Sequence, residues 1–206
     1  VDDGTAVLDF DPEERRRNVS VSAAIAPIEW KDCKLNIIDT PGLFDFEGEM
    51  CEGIAASECV LIVLGAGHKY DVGAEKAFKA AKKRGKMFAI TRCDKEHADF
   101  YKTFEEIKAV HGGAVCPVIV PYIVDGQVKA YVNLAARKGY EYHDGDAVEI
   151  PMPDDPKIQE MLDILTEAVA TASDELMEKF FAEEPFTEEE IKTAIVSSIA
   201  KRDLMP

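Results

Sequence analysis

Positive charge is scarce in this chain, which carries 24 Lys and Arg residues against 40 Asp and Glu among its 206 residues, for a net charge of −16. A broad electrostatic contact with nucleic acid needs clustered Lys and Arg, so this balance argues against one. The tight basic clusters are Arg15-Arg16-Arg17 and Lys82-Lys83-Arg84. Any contact with RNA must therefore be local, and we expect no DNA partner.

Cysteines and long apolar segments are also limited. The five cysteines are odd in number and form no C-x-x-C pair, which argues against a zinc site or a complete disulfide set and favours a reducing compartment. The chain contains no apolar stretch near the ~18 residues of a membrane-spanning helix, and its N-terminus does not resemble a signal peptide. We therefore expect a cytoplasmic protein without a membrane partner.

The most informative residues are Asp39-Thr40-Pro41-Gly42, which follow an apolar run containing Leu35, Ile37 and Ile38. A carboxylate at the end of a strand, followed by a turn and a glycine, can place a magnesium-water ligand and a backbone N–H against a terminal phosphate. The motif is short, and Pro-Gly also marks ordinary turns. On its own, it fits a plain strand-to-loop turn equally well.

Two further segments strengthen the nucleotide interpretation. Residues 13–22 form a charged loop that runs into an alternating strand, and residues 88–95 end another apolar strand. Their order and spacing resemble the G domain of translational GTPases, most closely elongation factor G and its paralogues. Residues 4–10, 45–49 and 121–156 also resemble this family, so the resemblance covers nearly the whole chain.

The resemblance implies a site for GTP and Mg²⁺. In the family, the Thr of the switch I motif Arg-Gly-Ile-Thr-Ile binds magnesium, and Asn-Lys-x-Asp recognises guanine; Ser20 and Asp94 occupy the matching places. The residues implied for the metal are Ser20 and Asp39, and those implied for the nucleotide are Gly42, Thr91, Arg92 and Asp94.

Several positions depart from the family pattern. Leu43 stands where switch II has the histidine that orients the attacking water, and leucine can neither donate nor accept a hydrogen bond. We therefore assign no catalytic residue with certainty. Thr91 and Arg92 replace the Asn and Lys of the guanine motif, and Thr91 lacks the amide that usually braces that loop. Asn18 replaces a glycine, which is a mild change because asparagine tolerates left-handed backbone conformations. A diverged paralogue fits these departures best.

The sequence contains no Gly-x-x-x-x-Gly-Lys-Ser/Thr, so the phosphate loop has no counterpart. It also stops where the family continues into the Ser-Ala loop that packs on guanine. We therefore expect a segment of a larger factor that is inactive alone and holds neither GTP nor Mg²⁺, both of which the whole factor would bind. The family places a strand between the one ending at Asp39 and residues 59–64; without it, we expect these two strands to pair directly or with a second copy of the chain.

Alternating strands and helices in the first half of the chain predict an α/β fold, an incomplete parallel sheet of the P-loop GTPase type with helices on both faces. The predicted strands there are residues 19–28 and 34–38, joined as a hairpin at Lys31-Asp32, then 59–64 and 86–91; the predicted helices are 47–57, 73–84 and 98–110. We assign residues 1–114 to a partial GTPase domain.

From residue 115 the pattern changes to short strands and then three helices. Strands are predicted at 115–123, 128–134 and 139–142, with turns at Asp125-Gly126 and Asp144-Gly145. The helices are indicated by an apolar stripe between residues 158 and 169, by residues 174–182, and by a capping box at Thr187. Residues 115–206 thus resemble the G-prime insertion of elongation factor G, a small α+β lobe.

Three functions stay open. The first is a translational GTPase that acts on the ribosome, where the resemblance implies contact with ribosomal RNA and the stalk protein. The second is a ribosome-associated module that binds nucleotide with little or no hydrolysis, which Leu43 would allow. The third is a structural or interaction lobe, with self-association through unpaired sheet edges.

Overall fold

The computed structural model describes residues 6–143 and 146–206, and the chain divides into two units. Unit 1 contains the residues up to Val60 together with Asp71–Arg84, and unit 2 contains Leu61–Tyr70 and Gly85–Pro206. Among the described residues, no helix is both long and apolar enough to span a bilayer. No disulfide bond joins the five cysteines, all of which lie among the described residues.

Unit 1 begins with a short helix, α1 (Pro12–Arg17), where we predicted a charged loop. Asp11 caps the first turn, Glu14 completes a capping box, and Pro12 occupies a position in the first turn where its missing N–H costs nothing. The helix ends at Asn18, which adopts the left-handed conformation with φ of 53°. The loop prediction was therefore wrong, and the expected tolerance of Asn18 is confirmed.

The predicted hairpin is confirmed as the antiparallel strands β1 (Ala24–Trp30) and β2 (Cys33–Asp39). Lys31 and Asp32 both have positive φ, at 45° and 62°, as a two-residue turn that matches the strand twist requires. However, β1 starts at Ala24 rather than at residue 19. The preceding amides of residues 21–23 donate to glutamate side chains instead of a partner strand.

A 3₁₀ turn at Phe44–Phe46 and helix α2 (Glu47–Ala56) follow β2, and helix α3 (Val72–Ala80) completes unit 1. Helix α3 is shorter than predicted because the chain forms a turn after Ala81. In this turn the amide of Arg84 donates to the Ala81 carbonyl at 2.9 Å.

Helix α2 contacts the end of β2 at Gly53. A Cβ atom at that position would lie 2.5 Å from the Thr40 Cγ2 and 3.3 Å from the Ile38 Cγ2. The residues after the Asp39 carboxylate are thus fixed by close packing against α2.

In unit 2, the end of β3 (Cys59–Gly65), a strand that begins in unit 1, pairs with β4 (Gly85–Thr91). The Ala66 amide donates to the Thr91 carbonyl at 2.7 Å, so the carboxyl ends of the two strands lie side by side and the pair is parallel. Helix α4 (Phe100–His111) contacts β4. The predicted α/β fold is confirmed.

A second sheet in unit 2 is an antiparallel meander of four strands in the order β5-β6-β7-β8. Its strands are β5 (Ile119–Val124), β6 (Gln127–Asn133), β7 (Lys138–His143) and β8 (Asp146–Pro151). The strand β8 was not predicted, and the predicted turn at Asp144-Gly145 lies outside the described residues. β5 starts later than predicted because Val115 pairs instead with Met205 in an isolated parallel bridge.

Three helices complete unit 2: α5 (Pro156–Ala170), α6 (Asp174–Phe181) and α7 (Glu188–Lys201). The apolar stripe predicted on α5 is buried, which confirms it as core; its members are Ile158, Met161, Leu162, Leu165, Ala168 and Val169. The capping box at Thr187 is also confirmed. Helix α7 contacts both β4 and α5.

Among the described residues, β2 has β1 as its strand partner and β3 has β4. The expected direct pairing of β2 with β3 was therefore wrong, while pairing with a second copy stays a prediction.

The close approach at Gly53 predicts the effect of adding a methyl group there. We expect Gly53→Ala to reduce the free energy of unfolding by about 1–3 kcal/mol, because the β-branched Thr40 side chain has little freedom to move away. Gly48→Ala, on the same helix with no atom within 4 Å of the added Cβ, is the matched control. It should be neutral or stabilise by up to about 1 kcal/mol. Urea unfolding of both variants checks this; equal midpoints would contradict it.

Candidate nucleotide-binding site

The metal residues predicted from the sequence lie in one part of unit 1. Asp39 is the last residue of β2, and Ser20 lies in the bend between α1 and β1. A third residue, Asp9, joins them: the Ser20 hydroxyl donates to the Asp9 Oδ1 at 2.8 Å, and the Asp9 charge acts on Asp39. We call these three residues the acidic corner. Sequence reasoning missed Asp9, although it lies in the family-like residues 4–10.

The acidic corner concentrates negative charge. Partial burial raises the pKa of Asp39 above its ordinary value, and the charges of Asp9 and Glu14 raise it further. The carboxylate is thus held where its ionised form is disfavoured, and a cation would relieve that cost.

The donor atoms fit magnesium, which prefers oxygen ligands. Within residues 6–143 and 146–206, no group of three His, Cys, Asp or Glu side chains is placed to hold a metal alone. A cation at the corner would therefore need further oxygen ligands, as Mg²⁺ commonly takes from waters and substrate phosphates.

Residues 42–45 are exposed, and this segment is held at its far end by α3. Leu43 is 47% exposed, and Gly42 would accept a Cβ without any contact within 4 Å. The Lys76 Nζ of α3 lies 5.1 Å from the centre of the Phe44 ring and 2.6 Å from the Glu47 Oε2. Lys76 thus fixes the start of α2 through one cation–π contact and one ion pair.

The guanine residues predicted from the sequence lie together in unit 2, at the end of β4. Arg92 has a left-handed φ of 58°, and its carbonyl accepts the Lys95 amide at 3.2 Å, so residues 92–95 form a tight turn. Asp94 is exposed in this turn and accepts no side-chain or backbone hydrogen bond from the described residues. Its carboxylate is therefore available to a ligand.

Thr91 braces this turn in its own way. Its hydroxyl donates to the Leu64 carbonyl at 3.2 Å, and its carbonyl accepts the Ala66 amide. The sequence analysis noted that Thr91 lacks the bracing amide of the family's asparagine; the structure shows that its shorter side chain still links β4 to the end of β3. Tyr131 of β6 also faces this region: burial raises its pKa, and the charges of Cys93 and Asp94 raise it further.

Comparison with known proteins identifies the family. The sequence profile of the family described as "Elongation factor Tu GTP binding domain" matches residues 1–204. The chain belongs to this family. Within the family, the chain is similar to proteins of the elongation factor G type.

Two relatives of this GTP-binding domain illustrate the similarity. An elongation factor G-like protein of Thermotoga maritima is 30% identical over 205 residues, which cover 98% of the chain and 30% of the relative. A crystal structure of a protein from Thermus thermophilus matches with a TM-score of 0.88 at 25% identity, covering 100% of the chain and 31% of the other. The chain thus spans about a third of the length of the relatives it matches.

The proximity of Asp9 to Asp39 predicts a shift in titration. In the Asp9→Asn variant we expect the pKa of Asp39 to fall but to stay above its ordinary value, because burial remains the largest cause. When folding raises the pKa of a carboxyl group, the folded state loses stability as the pH rises from the unfolded-state pKa to the folded-state pKa. This loss of stability should be smaller in Asp9→Asn. Carbon-13 titration of the side-chain carboxyl measures the shift. Asp45→Asn is the control, and an unchanged Asp39 pKa in Asp9→Asn would refute the assignment.

The Lys76 contacts predict restraint of the segment that joins β2 to α2. In Lys76→Ala, amide exchange at residues 46–48 should rise about 3- to 10-fold, since an exposed ion pair and a cation–π contact each contribute up to about 1 kcal/mol. Lys79→Ala is the matched control, because Lys79 pairs with Glu75 on the same helix at 2.9 Å. If both variants exchange alike at these amides, Lys76 does not hold the segment.

Proposed function

We propose that the chain is part of an elongation factor G-like protein of the cytoplasm that binds GTP and Mg²⁺ and acts on the ribosome. The observation that carries the proposal is the acidic corner at the carboxyl end of β2, where a hydroxyl and two carboxylates meet. In this proposal residues 1–114 are the partial GTPase domain and residues 115–206 the G-prime-like insertion.

Each group of residues has a proposed role. In unit 1, Ser20 and Asp39 would hold Mg²⁺, and the backbone N–H of Gly42 would face the terminal phosphate. Bound Mg²⁺ would neutralise phosphate charge during hydrolysis. In unit 2, the Asp94 carboxylate would accept hydrogen bonds from guanine, with Thr91 and Arg92 holding the turn that presents it. The exposed Asp94 side chain and the Thr91 contact with Leu64 support this role.

Partners beyond nucleotide follow from family membership. We propose the ribosome as partner of the whole protein, through ribosomal RNA and the stalk protein. The net charge of −16 favours a local RNA contact over a broad one. For the 206 residues alone, we propose an inactive lobe that binds no nucleotide and can self-associate through its sheet edges.

A second function is favoured by Leu43. Its exposed side chain has no polar atom with which to orient a water molecule, so a ribosome-associated protein that binds nucleotide and hydrolyses little of it is the alternative. Phosphate release by the protein from its full reading frame, measured with and without ribosomes, separates the two. Release that does not rise over background while GTP stays bound favours the alternative.

The role of Asp94 gives the test of the proposal. In the protein made from the full reading frame, Asp94→Ala should weaken GTP binding about 10- to 100-fold, as expected when a base loses a charged hydrogen-bond partner. Glu96→Ala is the matched control, since Glu96 is a similarly exposed carboxylate two residues away. Calorimetry with GTP and ATP measures both variants. Equal affinities in the two variants, or no preference for GTP over ATP in the unmodified protein, would contradict the proposal.

A further inference from the structure

Glu14 is a carboxylate buried inside unit 1. The residue is 1% exposed, whereas the side chain of its neighbour Glu13 is 36% exposed and pairs with Arg16. A buried carboxylate needs hydrogen-bond donors or a cation to offset the loss of water. The donors that Glu14 uses are backbone amides.

The Glu14 side chain accepts three backbone N–H groups from two separate stretches of the chain. Its Oε2 accepts the amide of Asp11 at 3.0 Å, and its Oε1 accepts those of Val21 at 2.9 Å and Ser22 at 3.1 Å. Hydrogen bonds to a charged acceptor are stronger than those between neutral groups. These bonds lower the pKa of Glu14, so the ionised form is the one that the folded chain holds.

The Glu14 main chain holds two more amides. Its carbonyl accepts the N–H of Asn18, which caps α1, and that of Val19 at 3.3 Å. Glu14 therefore fixes the residue immediately before Ser20 through its carbonyl and the residue immediately after it through its carboxylate. Ser20 lies in a bend whose two ends are attached to one residue.

The same arrangement continues to the start of β1. The amide of Ala23 donates to the Glu49 Oε2 of α2 at 2.7 Å, and the next residue, Ala24, enters the strand ladder opposite Asp39. Carboxylate oxygens thus accept the amides of residues 21–23, as the carbonyls of a partner strand would. This bend places the Ser20 hydroxyl 2.8 Å from the Asp9 Oδ1, inside the acidic corner.

We propose that Glu14 is the positioning residue of the metal ligand Ser20. It is proposed to touch neither the metal nor the nucleotide; it sets the backbone bend that brings the Ser20 hydroxyl to the Asp9 carboxylate. Loss of the Glu14 carboxylate moves that hydroxyl out of the acidic corner while every proposed ligand is still present. This inference rests on the proposed function for the identity of the ligand, but the bend itself is observed in this chain.

Amide exchange tests the bend residue by residue in the 206-residue chain. In Glu14→Ala, exchange at Val21 and Ser22 should rise at least about tenfold, as the loss of a charge-assisted bond predicts. In Glu14→Gln, the remaining amide oxygen can still accept those two N–H groups, so their protection should be largely kept while that of Asp11 is lost. Glu13→Gln is the matched control and should leave all three unchanged.

A purely structural role would give a different pattern. If Glu14 only stabilised the fold of unit 1, exchange would rise together at Val21 and at a core amide of unit 1 such as Ile54, which is buried in α2, and Glu14→Gln would not restore Val21 selectively. Unchanged exchange at Val21 and Ser22 in Glu14→Ala would also overturn the proposal.

Paramagnetic broadening by Mn²⁺, a probe for the Mg²⁺ site, tests the link to the metal in the protein made from the full reading frame with GTP present. In the unmodified protein, Mn²⁺ should broaden the amide signals of Ser20 and Thr40; in Glu14→Ala it should still broaden Thr40 and lose its effect on Ser20. Equal broadening of Ser20 in both would overturn the positioning role. Absence of broadening in the unmodified protein with GTP bound would refute the metal site of the proposed function, and the exchange pattern would then decide the role of Glu14 by itself.

Discussion

The bend that carries Ser20 depends on carboxylates that accept backbone N–H groups where a strand partner is absent. An amide withdrawn from water without an acceptor costs free energy comparable to a lost hydrogen bond, and the amides of residues 21–23 find acceptors before β1 begins. Glu14 and Glu49 supply them from two different helices. The position of the Ser20 hydroxyl is therefore determined by side chains that lie outside the strand itself, and this is why β1 starts later than its alternating pattern predicts.

The acidic corner follows from the same construction. Bringing Asp9, Glu14 and Asp39 together places like charges near each other. Loss of solvation is the largest cause of the raised pKa of Asp39, and the charges of Asp9 and Glu14 raise it further. A divalent cation bound at the acidic corner together with phosphates would offset the repulsion among these carboxylates, because each carboxylate would then be attracted to the cation.

The parts of the fold and of the candidate site that could be predicted have local signals. The Lys31-Asp32 turn marked the hairpin, the capping box at Thr187 marked α7, and the metal and guanine residues belong to spaced motifs. Helix α1 was missed because its charged run suggested a loop, and β8 because it is mostly exposed and has little apolar alternation. Asp9 and Glu14 act through contacts with residues well separated in the sequence, which leave no periodic signal. The expected pairing of β2 with β3 was wrong because the number of strands does not determine which strands are neighbours in a sheet.

Two of the departures from the family's motifs, Thr91 and Leu43, have different structural consequences. At Thr91 the lost amide is partly compensated, because the hydroxyl reaches the Leu64 carbonyl and the strand ends stay linked, so the turn that presents Asp94 is retained. At Leu43 no such compensation is possible from the side chain itself, since a hydrocarbon cannot orient water. Lys76 also restrains the residues that follow Leu43. In the proposed function, the residues assigned to the base thus keep their carboxylate and their turn, whereas residue 43 offers no group to activate water. We therefore expect nucleotide binding to be better preserved than rapid hydrolysis.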